Sequence, residues 1–178
     1  MEQSGERQLT MQGRPSQAKP LYTPDERMRR DASRWTLVQG ILAPVQFLVF
    51  LVSLVLVVRY LGWGTGYEAA TISIVIKTFV LYTIMITGAI WEHDVYGQYL
   101  FAPAFWWEDA VSMVVIALHT LYLTSLFITW LTPPQQMWLA LAAYVIYVIN
   151  AAQFILKLRA ARLGAADAIK LNTAGSAA

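Results

Sequence analysis

The hydrophobic pattern divides the chain into four long apolar blocks separated by short polar turns. The first, from about Trp35 to Tyr60, contains ILAPVQFLVFLVSLVLVV without a single charge. The others run from about Glu68 to Trp91, Ala104 to Leu131 and Gln135 to Leu158. A membrane-crossing helix needs roughly 20 apolar residues, and each block is long enough to supply one. Trp35 and Tyr60 stand at the ends of the first block, where interfacial aromatics belong. Gly62, Gly64 and Gly66 mark the turn after it, and Thr132-Pro133-Pro134 ends the third block. Pro44 is placed to kink the first span. The pattern predicts an all-α polytopic membrane protein. Its four-transmembrane-helix bundle occupies residues 22–163 as one domain, with disordered tails at 1–21 and 164–178. Ahead of the first span, Thr23-Pro24-Asp25-Glu26 offers an N-cap, a proline at the first helical position and two acids in the first turn. This predicts a short interfacial helix.

Composition agrees with that division. The chain has 178 residues, 57% of them hydrophobic, and a mean hydropathy of +0.48. Because the apolar residues come in blocks, the excess reflects membrane spans rather than a large water-soluble core. The absence of cysteine excludes disulfides, thiolate metal sites and a thiol nucleophile. The net charge of +2 averages basic ends and an acidic centre. The basic residues flank the spans without interleaved aromatics, so they read as orientation signals and not as a nucleic-acid surface. Arg27, Arg29, Arg30 and Arg34 at one end, with Lys157, Arg159 and Arg162 at the other, place both termini on the cytoplasmic face. The first 34 residues hold no apolar core of a secretion signal. No internal repeat of the inverted-transporter kind stands out.

Polar residues inside the spans mark an interior. Gln39, Gln46 and Ser53 recur every seven residues on the first span, and Tyr147, Asn150, Gln153 and Lys157 form a stripe on the fourth. On the third, Glu108, Ser112, Val115 and His119 share one face, with acid and histidine about 16 Å apart along the axis. Lys77 and His119 both fall within roughly 5 Å of the midplane, so they can approach each other. Together with Gln46 and Asn150 they suggest a polar-lined cavity that opens toward the cytoplasmic turn. The competing reading is interhelical hydrogen bonding that holds the bundle together.

That turn is the most unusual stretch. Residues 91–109 read WEHDVYGQYLFAPAFWWED and carry acids without Lys or Arg on an otherwise basic face. Glu92, Asp94, Glu108 and Asp109 stand with His93 among Trp91, Tyr96, Tyr99, Phe101, Phe105, Trp106 and Trp107. An interfacial aromatic belt with solvated acids is one reading. The other is a site with aromatic walls for a flat apolar ligand, in which a carboxyl surrounded by apolar groups holds its proton and serves as an acid. Glu108 and Asp109 are adjacent on a helix and point about 100° apart, so Glu92 with Glu108 is the better candidate pair. Glu92-His93-Asp94 is too contiguous for a preformed metal site. No phosphate loop, dinucleotide fingerprint or nucleophile elbow is present.

The segments RRDASRWTLVQGILAPVQFLVFLVSL, GYEAATISIVIKTFVLY, GAIWEHDVYGQYLFAPAFWWEDAVSMVVIALHTLYL and AAYVIYVINAAQFILKLRAARL closely resemble the 3-vinyl (bacterio)chlorophyllide hydratase family of bacteriochlorophyll biosynthesis. The resemblance spans about Leu21 to Leu163. It implies a hydro-lyase that adds water to the 3-vinyl group of a magnesium tetrapyrrole, chlorophyllide or bacteriochlorophyllide, to give the 3-(1-hydroxyethyl) derivative. It implies no cofactor, because magnesium is part of the substrate. It also implies a bacterial inner or intracytoplasmic photosynthetic membrane, where the bilayer and other pathway enzymes are the partners. Such chemistry needs one acid for the vinyl carbon and one base for water. Glu108 or Glu92 is the candidate acid, and Asp94, His93 or Asp109 the candidate group at the water. Tyr99, Trp106 and Trp107 are candidate walls, with Gln46, Lys77, Asn150 and His119 candidates for binding substrate. His119 could hold magnesium axially or bond a ring carbonyl. Arg34, Lys157 or Arg159 could meet a propionate. The alternatives are a non-catalytic pigment- or haem-binding membrane protein using His93 and His119, and a small-solute transporter lined by Lys77 and His119.

Overall fold

The computed structural model describes the backbone of residues 21–128 and 130–175, and side chains as far as residue 164. The expected disorder of residues 1–20 lies outside the described residues. Among the described residues five helices follow one another: α1 (Pro24–Ala32), α2 (Arg34–Trp63), α3 (Tyr67–Tyr96), α4 (Trp106–Ile128) and α5 (Pro133–Gly175). The last four are long and apolar enough to cross a membrane.

The helix ends follow local chemistry. Thr23 caps α1 with a full capping box: its hydroxyl accepts from the Glu26 amide, and the Glu26 carboxylate accepts from the Thr23 amide. Ser33 then ends α1 and caps α2, so the chain turns between two helices on one residue. Left-handed glycines stop the next two helices, Gly64 at φ 71° after α2 and Gly97 at φ 81° after α3. Helix α2 continues through Pro44. The proline leaves the Gly40 carbonyl without its helical donor.

Two boundaries differ from the sequence reading. Helix α3 runs on to Tyr96 and not to Trp91, because Gly97 is the first residue that favours a left-handed stop. Glu92, His93 and Asp94 are therefore helical, with the turn reduced to residues 97–105. Helix α5 continues to Gly175 through the segment after Gly164, which composition alone marks as a disordered tail. That segment, AADAIKLNTA, is rich in alanine, the strongest helix former, and it extends a helix already nucleated within the bundle.

Helices α2 and α3 pair as one antiparallel hairpin and α4 and α5 as another. Contacts of α2 with α5 and of α3 with α4 close the ring, and α1 lies against α3. Phe50, Val57, Ile74, Tyr122, Met137 and Tyr144 form the apolar core toward the α2–α3 turn. Outward-facing Leu48, Val52, Val55, Phe79 and Phe127 are exposed, as bilayer-facing side chains are. The opposite end of the bundle carries the acids.

Candidate active site at the acidic end of the bundle

The acids of this end take different partners. Glu92, near the end of α3, and Asp109, in the first turn of α4, are both almost fully buried and are brought together by one loop. Both reach the same loop: the Phe101 amide donates to Asp109 Oδ2 at 2.8 Å, and the Ala102 amide donates to Glu92 Oε2 at 3.4 Å. Phe101 is the only non-glycine residue with positive φ among the described residues, at 58°. A strained backbone here is held by the carboxyl that faces it. Glu108, by contrast, points away from Glu92 and accepts from Lys157 Nζ at 2.5 Å. Lys157 also donates to the Ala104 carbonyl at 2.5 Å. The adjacency of Glu108 and Asp109 on one helix turn sends them to different neighbours. The pair brought together is therefore Glu92 with Asp109, in place of Glu92 with Glu108. Lys157 is already committed to Glu108.

The aromatics form two layers. Inside, Phe105 packs against Trp91 (5.8 Å between centroids), Tyr96 (6.0 Å) and Phe154 (5.7 Å). Tyr22 stacks on Tyr96 at 6.0 Å, with the Arg30 guanidinium 4.7 Å from the Tyr22 ring centre. Burial pushes the Tyr22 hydroxyl up from its ordinary value, so it stays a neutral phenol. Outside, Tyr99, Phe101, Trp106 and Trp107 form an exposed apolar shelf over the loop, with 53% of Trp106 and 65% of Trp107 open. Phe101 lies 6.2 Å from Trp106, and Trp106 5.3 Å from Trp107. His93, also exposed, stacks on Tyr99 at 4.4 Å. Asp94 accepts from the Ser33 hydroxyl at 2.7 Å, and the Trp91 indole donates to Thr36 at 2.9 Å. Both bonds fasten the α1–α2 junction to the end of α3. Arg34 and Arg159 are exposed on the same end.

Lys77 and His119 do meet, deep inside. Lys77 Nζ lies 2.9 Å from His119 Nε2, and His119 Nδ1 donates to the Val115 carbonyl at 2.7 Å. With Nδ1 protonated, Nε2 is the acceptor and Lys77 donates. Both side chains are buried, and the ammonium sits 4.3 Å from the centre of the Tyr147 ring. With Nε2 taken, this imidazole has no free lone pair for axial magnesium. His93 and His119 also lie in separate neighbourhoods and do not converge on one ligand. Gln46 is buried without a hydrogen-bond partner among the described residues, and Asn150 donates to Ser112 at 2.7 Å. Two hollows lie elsewhere, one of about 420 Å³ by Arg59, Trp63 and Thr65, another of about 240 Å³ by Leu48, Val49, Val52, Ser73 and Ile76. Neither is lined by residues of the acidic turn.

Tyr22 and Phe154 were missed by sequence reasoning. Tyr22 sits beside Thr23, an evident helix start, and a helix start gave no sign that the preceding ring folds back onto α3. Phe154 lies in an apolar run with nothing to distinguish it.

Known proteins decide the family. Residues 22–160 match the family described as 2-vinyl bacteriochlorophyllide hydratase. The chain belongs to this family. A 2-vinyl bacteriochlorophyllide hydratase of Rhodobacter capsulatus is 70% identical over 149 residues, covering 84% of this chain and 86% of the relative. One from Cereibacter sphaeroides is 68% identical over 143 residues, covering 80% and 89%. No solved structure matches. Membership makes the chain an enzyme, a hydro-lyase of bacteriochlorophyll synthesis. The match begins at Tyr22, so it takes in the ring stacked on Tyr96 as well as the four spans.

Proposed function

We propose that this chain hydrates the ring vinyl group of a bacteriochlorophyllide or chlorophyllide, giving the 1-hydroxyethyl derivative, with Glu92 and Asp109 as the proton-handling pair. The relatives' names count the vinyl-bearing carbon as position 2, in the older numbering of the macrocycle; it is the position written 3 above. The observation that carries the catalytic part is the convergence of two buried carboxyls on the adjacent Phe101 and Ala102 amides of a loop flanked by exposed aromatics. Two buried carboxyls facing one loop cannot both carry charge cheaply, so in this reading the pair keeps one proton between them.

The steps balance without redox chemistry. The pair gives its proton to the terminal vinyl carbon, which becomes a methyl group. The positive charge left on the ring-attached carbon spreads into the macrocycle. Water attacks that carbon, and its surplus proton returns to the carboxylate pair. The same groups thus act as acid and then base. The planar ring lies on the shelf of Tyr99, Trp106 and Trp107, reaching it from the bilayer interface. Because the loop amides of Phe101 and Ala102 occupy the carboxyls, substrate entry displaces this loop, the kind of gating that completes a site only when it is filled. His93 and Asp94 flank the shelf and are the remaining candidates at the water. Glu108 is held by Lys157 and sets the position of α4 against α5, while Arg34 and Arg159 are available to the propionate. Both termini face the cytoplasm on the distribution of basic residues. The bacterial photosynthetic membrane follows from the substrate.

Membranes containing the chain are incubated with vinyl bacteriochlorophyllide, and the product is weighed by mass spectrometry. A gain of one water supports the hydratase. Bound pigment of unchanged mass would make the chain a carrier instead.

A further inference from the structure

We propose that the bundle interior holds a file of ordered water molecules, anchored by Gln46, that delivers the reacting water to the carboxyl pair from inside the protein. Its purpose rests on the hydratase reading; its existence does not.

Gln46 is 2% exposed, and both atoms of its amide lack a hydrogen-bond partner among the described residues. Burying an amide with neither end paired is costly, and such groups are where interior water sits. Two further amide oxygens, those of Asn150 and Gln153, are also buried and unpartnered. Register places the three in sequence. The Phe50 ring packs on Tyr147, 4.9 Å between centroids. Gln46 is one turn from Phe50 along α2, and Asn150 about one turn from Tyr147 along α5. The two helices run in opposite directions, so both steps lead toward the acidic end. Asn150 is tied at that level to Ser112 of α4 by its 2.7 Å bond. Gln153 is a further turn on, and Lys157 one turn beyond that, bonded to Glu108 and 5.1 Å from the centre of the Phe105 ring, whose residue accepts from the Asp109 amide, so the file ends beside the carboxyl pair. At the inner end, the Lys77–His119 pair closes the file.

Such a file answers a geometrical problem. A flat ring seated on the exposed shelf covers the outer face of the site and displaces bulk water from it. The nucleophile then comes from the water already held on the protein side, and the molecule consumed in each turnover is replaced from bulk through the acidic end once the product ring has left.

X-ray radiolysis of the full chain in native membranes, in ¹⁸O-labelled water, tests the file directly, because hydroxyl radicals made from a bound water label the side chains beside it. Phe50 and Val115, both buried, should take up the label. The near-isosteric Gln46→Met should lose that labelling, lower kcat about tenfold and leave KM for the tetrapyrrole unchanged. Absence of label in the wild-type interior would overturn the file. So would a Gln46→Met variant that melts higher and hydrates at the wild-type rate, the behaviour of a dry site relieved of an orphan amide. Label lost with kcat retained would overturn the delivery role. An interior that takes up label in a chain that never hydrates the vinyl group would support the file and overturn the hydratase reading.

Discussion

At the scale of single residues, the fate of each acid was decided by geometry that sequence spacing only partly conveys. The separation of Glu108 from Asp109 was legible, since neighbours on a helix diverge. Their destinations were not, because Lys157 and the loop amides come from distant parts of the chain. Lys157 looked free for a carboxylate of the substrate, yet it neutralises Glu108. Lys157→Met should therefore destabilise the fold by about 1–3 kcal/mol, since it leaves a buried carboxylate unpaired. The double change with Glu108→Gln should recover part of that loss. Thermal unfolding in detergent measures both. On the shelf, Trp106→Ala and Trp107→Ala should each raise KM several-fold with kcat nearly unchanged, because they remove ring contact rather than chemistry. A fall in kcat with KM unchanged would place those rings in the reaction itself.

At the scale of elements, four spans and a short leading helix were legible from apolar block length and the Thr23 cap. The end of α3 was harder, because Trp91 resembles an interfacial stop while the polar EHD that follows tolerates helix until Gly97. That extra turn matters, because it carries Glu92 into reach of Asp109. Gly97→Ala should cost about 1 kcal/mol, because a Cβ is disfavoured at φ 81°. It should also disturb the loop above the carboxyls, lowering hydration more than stability. Thr23→Ala should remove a cap worth about 1 kcal/mol to α1. Faster amide exchange confined to α1 would report it. The helical stretch after Gly164 was illegible for a different reason: Ala-rich segments suit a helix and a tail equally, and the preceding span supplies the nucleus.

At the scale of the whole molecule, the bundle carries two polar zones of different kinds. The Lys77–His119 contact was legible from depth alone, because two ionisable groups at one level of a four-helix ring tend to meet. The Glu92–Asp109 pair was not, because it depends on how two helix ends and a loop close over each other. Family membership supplies the class of reaction, and the arrangement of the acidic end supplies the residues proposed to perform it. The claim that this pair moves the proton is tested most directly by the hydration rate of Glu92→Gln, measured by mass gain at matched amounts of bound vinyl bacteriochlorophyllide. A loss of about 10²–10⁴-fold with pigment binding retained is the expected result. A rate within about twofold of wild type would contradict it, because a general acid cannot be removed so cheaply.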